Sequence, residues 1–94
     1  MPRVLALAAT LAVLALPAQA ACYADYKAKQ DNPLRLHYGV IELPDSACNP
    51  GAAGAEAARR LGAAGWTLLN IISVFGPEGL EGRKANAGAH FLRY

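Results

Sequence analysis

Charge is scarce in this sequence. Asp, Glu, Lys and Arg make up 17% of its 94 residues, against about a quarter in an average globular chain. The formal net charge is +2, and no block of like charges occurs. That balance leaves no electrostatic footprint for nucleic acid or for an anionic membrane surface. Catalytic signatures are also missing. There is no H-E-x-x-H, no G-x-S-x-G and no phosphate-cradling glycine loop. Ser46 and Ser73 have no neighbour that marks a nucleophile. Asp25, Asp31, Glu42, Glu56, Glu78 and Glu81 are too scattered to claim a carboxylate pair. The length excludes a multidomain enzyme, a multi-span transporter and a repeat array.

What is present begins with an export signal. Met1-Pro2-Arg3 is basic, Val4 to Leu16 is apolar apart from Thr10, and Pro17 closes the run. Ala18-Gln19-Ala20 then supplies the small residues that a signal peptidase reads, so cleavage is expected after Ala20. The apolar run is too short to span a hydrocarbon core about 30 Å thick, so no stable membrane span is expected after cleavage. Gln19, three residues before Cys22, stands where lipid attachment wants a Leu-like residue. Residues 1–20 are thus read as a signal peptide and residues 21–94 as one small domain, periplasmic or secreted. Arg3 leaves with the signal, which keeps the remaining charge close to zero.

An exported chain meets an oxidising compartment, and Cys22 and Cys48 are the only two cysteines. One intramolecular disulfide is expected. Closing that loop contributes about 3 kcal/mol by chain entropy, a large share for a domain this small. No C-x-x-C spacing points to redox chemistry, and neither cysteine has a histidine at ligand spacing.

Local patterns predict an α+β domain. Residues 22–30 are mostly helix formers, with Tyr23 and Tyr26 on one helical face, and predict a short N-terminal helix; a strand paired with the next segment is the alternative. Leu34, Leu36, Tyr38 and Val40 alternate with Arg35, His37 and Gly39, the period of a strand that Pro44-Asp45 ends. Asn49-Pro50 is an N-cap followed by proline at the first helical position. The Ala-rich helix after it carries Ala53, Ala57, Leu61 and Ala64 on one stripe and stops at Gly65. Residues 66–75 are β-branched and aromatic, and both faces are apolar, as in a strand covered on both sides. Residues 76–88 read as a long glycine-rich loop, and 89–94 as a closing strand that forms a hairpin with 66–75. The expected architecture is a three-stranded antiparallel-type sheet with the Ala-rich helix on one face, plus the short N-terminal helix. Trp66 is expected in the core, and Tyr23, Tyr26 and Tyr38 at the sheet edge.

Gly65-Trp66-Thr67-Leu68-Leu69, preceded by Arg60-Leu61 and closed by Phe91-Leu92-Arg93-Tyr94, resembles a small bacterial domain of unknown function. That domain runs strand, helix, Gly-Trp-led strand, strand, and the likeness covers residues 34–94. Residues 22–94 are also similar to small exported bacterial proteins of unknown function. The shared runs are Tyr26-Lys27-Ala28-Lys29, Leu36-His37-Tyr38-Gly39-Val40 and Ser73 to Leu80. The chain departs from the short domain in its N-terminal element, its cysteines and its long loop. The resemblance implies an α+β fold and assigns no activity and no catalytic residue.

The functional expectation is a non-enzymatic domain that binds another envelope protein, or itself as a homodimer, through a sheet face and the 76–88 loop. Glu78, Glu81, Arg83 and Lys84 offer both signs of charge on that loop. His37 and His90 are the other candidate binding residues, and a small metal-binding or hydrolytic site using the two is the alternative. No cofactor, metal or catalytic residue is otherwise indicated.

Overall fold

The computed structural model describes residues 21–94, and the expected signal, residues 1–20, lies outside the described residues. Strand β1 (Cys22–Gln30) turns into β2 (Arg35–Leu43). A 3-10 turn (Asp45–Ala47) leads to helix α1 (Pro50–Ala63), followed by β3 (Thr67–Phe75). A second 3-10 turn (Pro77–Gly79), helix α2 (Glu81–Ala87) and a third turn (Gly88–His90) follow. The three strands form one antiparallel sheet in the order β2-β1-β3, which makes an α+β fold.

The N-terminal helix expected over residues 22–30 is therefore corrected: the segment is the central strand. Cys22, Ala24, Tyr26 and Ala28 alternate onto one face, and all four are buried. The spacing of Tyr23 and Tyr26 suits a helix, yet pairing with a strand on each side bonds the β1 backbone and outweighs that weak preference. Tyr26 sits in the core and not at the edge. Its ring lies over Gly39 across the β1–β2 pair, where a side chain at position 39 would occupy the phenol's own space. Tyr23 stacks on Phe75 at 6.1 Å on the opposite face.

Helix α1 forms where the capping signals stand. The Asn49 side chain accepts from the Ala52 amide at 2.9 Å, and Pro50 opens the first turn. Gly65 stops the helix at φ 86°, a left-handed conformation that favours glycine. Ala53, Ala57 and Leu61 pack among Ala24, Tyr26 and Ala28 of β1 and Leu68, Ile71 and Val74 of β3. Alanines on both sides bring helix and sheet close. Cys22 and Cys48 are disulfide-bonded, with Cα atoms 5.9 Å apart, and fasten the start of β1 to the turn before α1.

The second half of the expected sheet is also corrected. β3 pairs with β1 and not with a closing strand. Residues 76–88 are not an open loop, because they fold into the second 3-10 turn and α2. Residues 89–94 contribute a 3-10 turn and a single parallel bridge, Phe91 to Val40. The Leu92 amide donates to the Val40 carbonyl at 2.8 Å, so the C-terminal segment runs along the outer edge of β2. No helix of the described residues is long and apolar enough to cross a membrane.

Candidate functional site

Three places hold the side chains that could carry function: a buried carboxylate under α2, an aromatic cluster around the two histidines, and the outer edge of β3.

Asp25 is 4% exposed and points to the sheet face opposite α1. It accepts from the Ser73 amide (2.9 Å), Ser73 Oγ (2.6 Å), Tyr38 Oη (2.8 Å) and Arg83 Nε (3.0 Å). Burial pushes its carboxyl up, but the hydrogen bonds from Ser73, Tyr38 and Arg83 and the guanidinium charge outweigh it. They hold the carboxyl below its usual range. Burial and the bond to Asp25 push the Tyr38 phenol up to about 12. Arg83 also donates to the Gly79 carbonyl and lies 4.0 Å over the Phe75 ring. Arg83, expected as a ligand-facing loop residue, is thus spent inside the fold, where it pins α2 to the sheet. Glu78, Glu81 and Lys84 remain exposed on that segment.

His37 and His90 do come together. Their rings stack 3.7 Å apart at 11°, and the Trp66 ring meets His37 edge-on at 4.2 Å. Tyr26 Oη bonds His37 Nε2 at 2.9 Å, and Tyr94 Oη bonds His90 Nδ1 at 3.0 Å. Burial, then His90 and Arg93, lower the His37 pKa to about 4; burial and Arg93 lower that of His90. Burial, reinforced by Tyr94, raises the Tyr26 phenol. Parallel stacking aims the in-plane lone pairs of the two rings along parallel lines, which cannot converge on one metal ion at ligand distance. Each ring also has one nitrogen engaged by a tyrosine hydroxyl. Among the described residues no group of three or more His, Cys, Asp or Glu could hold a metal. What the cluster does is fasten the C-terminal segment over the end of β2.

Leu34 and Leu36, flanking the start of β2, are the most exposed large apolar side chains, and the β3 edge carries a second apolar surface. The register between β1 and β3 shifts twice, and the two residues without partners are Ile72 and Leu69. They are 46% and 49% exposed. Thr67 and Asn70 are also exposed, so the segment expected to be covered on both sides is an edge strand open along one side among the described residues. A recess of about 220 Å³ lined by Lys27, Leu36, His37, Tyr38 and Leu69 extends this surface across the sheet.

Sequence reasoning missed Asp25, Tyr38 and Ser73 as one network, and Tyr26, Trp66 and Tyr94 as the shell of the histidines. Their only sequence signal is period-two alternation in residues 22–30, which acquires meaning once that segment is placed between two strands. No family model matches the chain, and no curated protein or solved structure matches it.

Proposed function

We propose that this chain is a small exported, non-enzymatic interaction domain that pairs with protein through the open edge of its sheet. One observation carries the reading. β3 presents nine residues without a charge or a proline, with Leu69 and Ile72 nearly half exposed, along an edge that nothing in residues 21–94 covers. Edge strands in natural proteins are normally blunted by charge, proline, bulges or a covering segment, because their free N–H and C=O groups template pairing with another chain; β3 has its two register shifts and none of the others. The opposite edge, at β2, is covered at Val40 by Phe91 and Leu92. Main-chain bonds to β3 give the affinity, and apolar contacts at Leu69, Ile72 and the adjoining recess give the selectivity. Glu78, Glu81 and Lys84 on the α2 segment stand clear for further polar contact. The disulfide and the sequence of residues 1–20 support a location outside the cytosol.

A photo-crosslinking side chain at position 72 tests the reading in the native compartment, with the same group at Ala63 as control. Protein adducts form at position 72 and not at Ala63. Absence of adducts at position 72 contradicts it.

A further inference from the structure

We infer that the partner at the β3 edge is a second copy of this chain, joined β3 to β3 as antiparallel strands about a two-fold axis perpendicular to the sheet. The inference rests on the reading of that edge as an interaction surface and adds the identity of its occupant. Pairing of this kind is isologous, so each residue of β3 meets another residue of β3. A strand without charge or proline brings no like charges together and lacks no backbone donor in that arrangement.

An uncharged edge alone would accept a foreign strand as readily. The position of α1 singles out a second copy. An axis perpendicular to the sheet leaves both copies of α1 on the same side of a continuous sheet with strand order β2-β1-β3-β3-β1-β2. Helix α1 packs over the β1–β3 pair, with its buried residues among those of both strands. Strands lie about 4.8 Å apart, so a helix above the middle of that pair stands about one strand spacing from the axis. The two copies of α1 then lie roughly 10 Å apart, within reach of the 8–10 Å at which helices pack.

The surface of α1 that meets the axis is built for that distance. Gly51, Ala55, Ala58 and Gly62 are exposed and fall at i, i+4, i+7 and i+11, one line along the helix. A Cβ at Gly54, beside this line, would meet Ile71 Cγ1 of β3 at 3.8 Å, which places the line on the β3 side. Arg60 lies toward the other side, where it donates to the Glu42 carbonyl of β2. Glu56 holds both Arg59 and Arg60, at 2.8 and 2.6 Å. No unpaired charge and no large side chain stands between two helices at this spacing. Pairing therefore joins the sheets and the helix layers in one step.

The test uses the full chain as recovered from cells with its disulfide intact, and reads mass by sedimentation equilibrium. The wild-type protein gives twice the monomer mass. Ile72→Lys and Ala58→Glu, both at exposed positions, each shift it to monomer with the far-UV circular dichroism of the wild type. A dimer that survives both charge substitutions overturns the inference. A wild-type monomer at every concentration also overturns it, and crosslinking at position 72 then separates two cases. Adducts with a different protein leave the interaction edge standing, and no adducts remove the edge as well.

Discussion

The two edges of the sheet were given opposite treatment. At β2 the chain doubles back: Leu92 bonds Val40, Phe91 bridges it, and His90 stacks on His37 under Trp66. At β3 nothing among residues 21–94 returns, although this is the most apolar segment of the described chain. Phe91 and Leu92 cover the β2 edge at Val40, and among the described residues the uncharged edge is bare, a contrast on which the proposed pairing rests. The difference separates what holds the fold from what the fold offers. Asp25, Arg83, the disulfide and the histidine stack belong to the first, and Leu69, Ile72 and the small residues of α1 to the second.

Loss of the crosslink strikes both edges equally and gives the largest effect. Reduction of Cys22–Cys48 lowers unfolding free energy by about 3 kcal/mol, from the loop it closes, measured by urea denaturation with and without reductant. A change under about 1 kcal/mol would show that α1 and β1 hold together without it. Arg83→Met comes next. It leaves Asp25 buried with its neutral donors only and releases α2, at a cost of about 2 kcal/mol. The same denaturation curve checks it, and an unchanged midpoint would show that α2 is held by packing alone.

Acid distinguishes the edges. The fold holds His37 neutral, with its pKa near 4, while the unfolded chain takes up a proton near 6.5. Stability from this group is therefore full above about 6.5 and falls as the pH drops toward 4. Asp25, held below its usual range, keeps its contribution until lower pH, so the two losses are separable. The protection factor of the Leu92 amide, at the β2 edge, falls over the histidine window, and His37→Phe flattens that response. A Leu92 protection factor that is constant between pH 6.5 and 4 would remove the histidines from the clasp. The smallest effect on the stability of the fold belongs to Leu69→Lys, at an exposed position: added to the monomeric Ile72→Lys protein it stays within about 0.5 kcal/mol of that monomer by the same urea curve. A larger loss would place Leu69 in the core.

Much of the framework was legible in the residues. Asn49-Pro50 and Gly65 bound α1 because capping and a left-handed stop are local chemistry. Alternation through Leu36, Tyr38 and Val40 marks β2 for the same reason. The errors lie where topology outweighs local pattern. Residues 22–30 are polar and Ala-rich, yet they take the centre of the sheet because Ala24 and Ala28 are small enough to pass under α1. Thr67 to Phe75 has the composition of a central strand and lies at the edge. Hydrophobicity reports the wish to be covered and does not report whether the same chain supplies the cover. Phe91-Leu92-Arg93-Tyr94 has strand character and pairs through one bridge, because the outer edge of β2 admits it only near Val40. Of the candidate residues, His37 and His90 lie together through a turn beside β2 and not through the closing strand expected, and Arg83 turns inward to a carboxylate whose burial depends on β1 being a strand.

Residue-resolved amide exchange at low and high protein concentration tests the central claim most directly, since it reads both edges in one sample. The β3 amides that point away from β1 slow as concentration rises, while the Leu92 amide bonded to Val40 exchanges at a constant rate. Outward β3 amides that exchange at the same fast rate at every concentration would contradict the account.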